Sequence, residues 1–390
     1  MNEYKKMVIM DIIQSSDTLE KVRKFDKYST ILNDCKIFLF DEKCSNFDDI
    51  TKNKKIGKYG IFGIGDYTKT WILDSRHLLA RNFIRVGKTI DFDLNILTYL
   101  NKIMVGRKMN IDENEFLNYL SYLKNTGFQI GITIALMERM QTKIDLRILS
   151  EMITSFVKLE NISIIDRNMG DIYLEENAYM RMKQIYDMTF NEKNKKLEQF
   201  NIICCCIMKA YLIKNYDSSE KSKKVETFIK YCLYDLKCYL EAEIVILSLY
   251  IMDDNQIHKV FKKIKSNADV IKNILNVAWD IYHIRLVEQI MLSDNMGKTE
   301  QVMLSYFGTA DNGIIDAMQI NPVKAFVIID DYSISIRQNN INDICGNQEL
   351  LDSIYSGAGE RALTIKVLDF EQIRNNLEYE ILEKINNVGL

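Results

Sequence analysis

Apolar and polar positions change their spacing along this chain, and those changes mark its elements. Residues 1–82 carry short apolar runs, Ile37 to Leu39 and Trp71 to Leu73, around a lysine-rich segment from Lys52 to Lys58 and glycines at 57, 60, 63 and 65. KYGIFGIGDY reads as a hairpin or a glycine-loosened loop near strands. GKYGIFGIG lacks the Lys-Ser/Thr ending of a phosphate loop. WILDSRHLLARNF opens an amphipathic helix, with Asp74 as its cap and Arg76 and His77 as polar positions. Phe83 to Phe92 then alternates loosely, is interrupted at Gly87 and ends in acids, after which Leu94 to Leu100 starts a helix. An acid at the carboxyl end of a strand, followed by an apolar helix, sits in the crevice beyond a sheet edge.

Helical periodicity dominates residues 110–275. Met109 to Lys124 opens with Asn110 as a cap, and Phe128 to Met140 is an apolar run ending near Glu138. Glu151 to Leu159, Asp171 to Asn191, Lys196 to Lys214 and Val225 to Met252 follow, split by polar loops and closed by a solvated turn at Asp253, Asp254 and Asn255. No repeat period runs through them. From Asn276 the pattern gives a helix with Asp280 just after its first residues, a polar break, and an apolar strand from Val302 to Phe307. That strand runs into Thr309-Ala310-Asp311-Asn312-Gly313. Ala325 to Ile329 is a further strand, SGAGERA (356–362) a loop, Ala362 to Phe370 a strand-like run, and Glu371 to Asn387 a helix.

Composition narrows the class. The 390 residues suffice for two to three domains or one core with a large insertion, and with 47% hydrophobic and 27% charged they have the balance of an ordinary globular protein. A net charge of −3 supplies no bulk basic field, so nucleic-acid contact would use local patches. The single proline, Pro322, fits a mostly helical chain. Eight cysteines at 35, 44, 204, 205, 206, 232, 238 and 345 form no C-x-x-C array, and Cys204 to Cys206 read as reduced packing residues. No run reaches the roughly 18 apolar residues of a membrane span. The expectation is a cytoplasmic chain with no membrane contact.

The acids form a series: Asp93 at a strand end, Glu138 on a helix, Asp280 on a helix, Asp311 at a strand end, with Asp316 a turn further on. As single residues they have plainer readings. Asp280 and Asp311 read as helix caps, Asp91 as the solvent-facing neighbour of Asp93, and His283 and Trp279 as core or surface residues. Lys88, Lys102, Arg107, Lys108, Arg139 and Arg285 lie near the acids in sequence; such residues at helix ends are usually solvated charge, with Arg107, Lys108 and Arg285 the candidates to line an approach for phosphates.

In this order the chain resembles the PIN-like nuclease family. FDLNILTYL (92–100) is similar to the family's D-x-N-plus-helix opening, AWDIYHIRLVE (278–288) to its third-acid helix, and YFGTADNGI (306–314) to its T-x-D strand ending. The resemblance covers about a third of the chain. It implies an α/β fold, helix-dominated overall, with a small, mostly parallel sheet of PIN-like type. Its core would be residues 83–145 and 270–330, interrupted by a helical insertion at 146–269 and flanked by 1–82 and 331–390. It implies Mg2+ or Mn2+ held by Asp93 and Asp311, with Asp280 as a further ligand or holding a metal water and Glu138 orienting one. Thr309 would fix the carboxylate of Asp311. The implied activity is phosphodiester hydrolysis, on RNA more than DNA, in a toxin or phage-defence role. The alternative is a catalytically inactive PIN-like scaffold acting as an interaction or regulatory module; a homo-oligomer and a regulatory protein partner both stand open.

Overall fold

A computed structural model describes residues 3–43, 45–47, 51–74, 84–108, 110–141, 145–166, 168–264, 269–296, 301–329 and 332–388. The chain forms two compact units. The first comprises Met1–Thr189, Arg285–Ala310 and Pro322–Arg337; the second comprises Phe190–Ile284, Asp311–Asn321 and Gln338–Leu390. The fold is helix-dominated α/β. Among the described residues no helix is long and apolar enough to cross a membrane.

Both sheets lie in the first unit. One is antiparallel, in the order β4 (Trp71–Asp74), β1 (Cys35–Leu39), β8 (Val323–Ile329), β9 (Tyr332–Arg337). The register sets Cys35, Ile37 and Leu39 opposite Ile329, Val327 and Ala325. Because side chains alternate across a strand, these six share one face. They pack with Val8, Ile9, Ile12 and Phe25 from the helices Glu3–Gln14 and Thr18–Lys27 into one apolar core.

The second sheet has the order β2 (Lys54–Ile56), β3 (Tyr59–Gly63), β7 (Val302–Thr309), β5 (Val86–Phe92), β6 (Phe128–Gly131). β2–β3 and β3–β7 are antiparallel, whereas β7–β5 and β5–β6 are parallel. In place of one small, mostly parallel sheet, the described residues form two sheets, one mixed and one antiparallel. The glycine-rich KYGIFGIG segment, expected to be a hairpin or a loop, supplies β3, and the hairpin forms with the lysine-rich strand before it. Its loop is Gly57 and Lys58, with Gly57 at φ +59°, where a two-residue hairpin turn of the primed kind needs a positive φ.

The second unit is helical throughout its described residues, and Phe200 stacks on Trp279 at 4.3 Å between ring centroids. Cys204, Cys205 and Cys206 are buried there as free thiols, and burial raises the Cys204 thiol pKa well above its usual value. The segment read as one helix from Val225 to Met252 is broken. A π-helical turn at Tyr231–Asp235 leads to Lys237 in the left-handed region at φ 52° before the chain resumes at Glu241–Met252. Residues 356–370, expected to be a loop and a strand, form the helix Ala358–Thr364 and a 3-10 turn, Ile365–Val367. Phe128 to Met140, expected to be one helical run, is the strand β6 followed by the helix Thr133–Gln141. The expected amphipathic helix after Asp74, with Arg76 and His77, lies outside the described residues, as does Cys44. Asp74 itself ends β4.

Candidate active site

In the first unit the parallel pair β5–β7 places Phe92 beside Gly308, so the two chains end together. Asp93 follows β5 directly. Its N–H donates to the Gly308 carbonyl at 2.9 Å, extending the ladder by one bond. Asp93 is also the N-cap of the helix Leu94–Met104, with Oδ1 accepting from Ile96 N–H at 2.7 Å. Its Oδ2 accepts from the Thr309 hydroxyl at 2.6 Å and from Ala310 N–H at 3.3 Å. A buried carboxylate needs such donors, because water cannot supply them, and Asp93 is 1% exposed. Thr309 therefore does hold a carboxylate, but it is that of Asp93, reached across the β5–β7 pair, not that of Asp311 two residues on. Burial, with the Asp93 charge adding to it, pushes the nearby Tyr119 phenol well above its usual pKa.

Asp91 is not a solvent-facing neighbour. It is 6% exposed and its carboxylate accepts from Thr133 N–H at 3.3 Å and Ile134 N–H at 2.7 Å, at the start of the helix Thr133–Gln141. The alternation of β5 turns Asp91 toward this helix, which also carries half-buried Glu138. Two acids two residues apart thus cap two different helices.

In the second unit Asp280 and Asp311 come together. Asp311 is the N-cap of the helix Asn312–Ile320, its Oδ1 accepting from Gly313 N–H at 2.6 Å. Asp280 does not cap its own helix. The helix begins at Val270, not near Asn276, so Asp280 lies about three turns in, where every backbone N–H has its own i−4 partner. Asp280 is 6% exposed. A methyl group on Gly313 would sit 3.1 Å from Asp311 Oδ1, 3.3 Å from Asp280 Oδ2 and 3.8 Å from Lys263 Nζ. Lys263 and Asp311 form an ion pair at 3.5 Å. Two carboxylates and one ammonium thus converge on the side-chain-free face of Gly313. Asp316 is half-buried on the same helix as Gly313.

The expected cations divide. Arg107 is paired with Glu151 at 3.2 Å. Lys108 is exposed and Arg285 is half-buried on the helix Val270–Asn295. Lys88 is buried, with its ammonium 5.5 Å from the Phe128 ring centroid. Lys102 and Arg139 are half-buried. His283 is buried beside Trp279, at 5.5 Å between rings, as a core histidine would be.

Two charged residues escaped sequence reasoning. Lys263 lies in a polar run with no motif around it. Asp294, on the last turn of its helix, accepts from the hydroxyls of Thr89 at 2.9 Å and Ser305 at 3.4 Å. Thr89 and Ser305 are register partners on β5 and β7. Burial raises the Asp294 pKa, and the two hydroxyls offset part of that rise. Paired hydroxyl residues on neighbouring parallel strands were the available signal, but their pairing is not visible before the sheet is known.

Among the described residues no group of three or more His, Cys, Asp or Glu side chains is placed to hold a metal ion. The Asp280–Asp311 pair offers two carboxylates, and a hard cation such as Mg2+ commonly takes only one or two from the protein and fills its shell with water. In donor type and charge the pair fits such an ion, with Lys263 now balancing it. Comparisons with known families, characterised proteins and solved structures find no match for this chain.

Proposed function

We propose that this chain is a metal-dependent nuclease of PIN-like type that hydrolyses phosphodiester bonds of RNA, or less readily DNA, in a toxin or phage-defence role. The observation that carries the reading is the approach of Asp280 and Asp311 over Gly313, with the Lys263 ammonium already paired to Asp311 there. Crowded carboxylates repel, and a divalent cation relieves that repulsion better than one ammonium does. The parallel β5–β7 pair, ending in Asp93 and Thr309, supports the PIN-like type.

In this reading Asp280 and Asp311 hold Mg2+ or Mn2+ together with a water bound to it. When bound, the ion would lower the pKa of that water and stabilise charge on the leaving oxygen. Gly313 keeps the space between the carboxylates open, and its N–H fixes the Asp311 rotamer. Thr309 holds Asp93 in one orientation. Arg285, Lys108 and Arg107 are the candidates for contact with substrate phosphates, Arg107 being ion-paired with Glu151.

The test is cleavage of labelled RNA and DNA in Mn2+ by the whole chain and by Asp280→Asn and Asp311→Asn, each checked for native circular dichroism. Loss of cleavage in folded variants is expected. Unchanged cleavage in Asp280→Asn and Asp311→Asn overturns the assignment. The Lys263–Asp311 ion pair favours a second reading, an inactive scaffold, because it lets the acids pack with no metal at all. Calorimetry with millimolar Mn2+ separates the two: the scaffold gives no heat, and the nuclease gives heat that Asp311→Ala removes.

A further inference from the structure

The lysine-rich segment has no part in the reaction above. Lys52, Lys54, Lys55 and Lys58 put four positive charges into seven residues of a chain whose net charge is −3. Lys54 and Lys55 lie on β2, an edge strand of its sheet, Lys58 lies in the β2–β3 turn, and Lys52 lies two residues before β2. Lys52, Lys55 and Lys58 are exposed.

Register fixes where the hairpin points. Ile61 pairs with Gly308 and Gly60 with Thr309, so β3 runs past the end of β7 at which Thr309 holds Asp93. Lys58, two residues beyond Gly60, therefore stands roughly 7 Å past the level of Thr309 along the strand direction. The β3-to-β5 offset across the sheet is two strand spacings, roughly 10 Å. The lysine tip and the Asp93 end of the parallel pair thus share one edge of the first unit.

The hairpin is held in place before any ligand arrives. Lys58 N–H donates to Glu115 Oε1 at 2.8 Å, and any side chain at Gly57 would overlap the Glu115 carboxylate. The Lys54 ammonium lies 3.7 Å from the Tyr122 ring centroid, and that of Lys58 lies 5.4 Å from Tyr59 and 5.6 Å from Tyr99. Such contacts orient an ammonium without neutralising it. Two acids beside the hairpin also accept backbone hydrogen bonds, Glu115 from Lys58 N–H and Asp112 from Asn114 and Glu115 N–H, which fixes them in place. A cationic, aromatic-backed arm on a sheet edge suits a polyanion with regularly spaced charges.

We propose that the Lys52–Lys58 hairpin is the arm by which this chain grips the phosphodiester backbone of a nucleic-acid strand beside Asp93. The choice of substrate class rests on the nuclease reading; the test does not need cleavage. The whole chain is titrated into a fluorescein-labelled 20-nucleotide RNA, and separately the same sequence as DNA, in EDTA at several salt concentrations, with anisotropy as the readout. Lys52→Gln/Lys55→Gln/Lys58→Gln is compared with wild type and with a control, Lys183→Gln/Lys195→Gln/Lys223→Gln, of equal charge change at exposed sites. Each lost phosphate contact lowers the salt slope by roughly 0.7 on a single strand, so the hairpin variant should lose roughly 2 from the slope, and the control close to none.

A slope unchanged in the hairpin variant, an equal loss in the control, or no binding of either strand by wild type overturns the proposal. Equal slopes with RNA and DNA identify backbone charge alone as what the arm reads; a slope lost only with RNA identifies an RNA arm. Binding that depends on the hairpin in a chain that never cleaves in Mn2+ removes the nuclease reading and leaves the arm. Cleavage with an unchanged slope does the reverse.

Discussion

The Thr309 hydroxyl donates to Asp93 Oδ2 over 2.6 Å, joining the last residue of one parallel strand to the first residue beyond its neighbour. Ala310 N–H, at 3.3 Å, is the weaker second donor to the same oxygen. Thr309→Val keeps the shape and removes the hydroxyl, leaving a buried charge short of a donor. That should cost about 1–3 kcal/mol of stability. Thr309→Ser keeps the bond and should cost less. Urea unfolding of the three proteins decides it, and equal midpoints for the Val and Ser variants would show that the bond contributes nothing.

The capping role of Asp91 gives a second, independent expectation. Its carboxylate takes the N–H groups of Thr133 and Ile134, two of the four that a helix start leaves without partners. Asp91→Ala should destabilise by about 0.5–2 kcal/mol, and Asp91→Asn by less, since an amide oxygen still accepts. Hydrogen exchange should speed up at Thr133 and Ile134 before it does in β5. Unaltered exchange there in Asp91→Ala would remove the assignment.

Much of this arrangement was open to sequence reasoning, and its failures have physical causes. Asp93 and Asp311 were legible because each combines an apolar strand pattern with an acid and a helix start. The β-structure around KYGIFGIGDY was legible from its glycines and apolar residues, but its hairpin partner, the lysine strand Lys54–Ile56, was not. Phe128 to Met140 was misread because an apolar run has no period to separate strand from helix; Gly131 was the break. ALTIKVLDF alternates like a strand, yet Leu363 and Val367 are 73% and 82% exposed, so the alternation there does not track burial. The partner of Thr309 lies 216 residues away and that of Asp294 lies 205 away, and no local pattern encodes such pairs.

Asp294 makes stability depend on pH with a sign opposite to that of most carboxylates. Its pKa in the folded chain is raised, chiefly by burial, so the folded state binds its proton more tightly than the unfolded state. This group's contribution is present in full below the unfolded pKa, near 3.9, and is lost as pH rises through the higher folded value. Asp294→Asn cannot ionise, and its amide oxygen can still accept from Thr89 and Ser305. The difference in melting temperature, variant minus wild type, should therefore grow more positive from pH 4 to pH 7. A difference that is flat with pH, or that falls, would rule out Asp294 as the source.

Lys263 and a divalent cation should compete for the same two carboxylates. The ammonium sits 3.5 Å from Asp311 and faces the space over Gly313 that Asp280 also borders. The side chains of Lys263 and Asp311 are 40% and 31% exposed, so water screens the pair and it contributes no more than about 0.2–1 kcal/mol. Lys263→Met should then raise Mn2+ affinity by a factor of about 1.5 to 5, that same range expressed as a binding ratio. Gly313→Ala tests space without changing charge, because its methyl group would lie 3.1 and 3.3 Å from the two carboxylate oxygens. It should weaken Mn2+ binding while leaving the helix Asn312–Ile320 intact. Electron paramagnetic resonance of free Mn2+ reads both variants without reference to cleavage. Tighter binding in Lys263→Met with weaker binding in Gly313→Ala places the ion between Asp280 and Asp311; affinities unchanged in both variants would place it elsewhere.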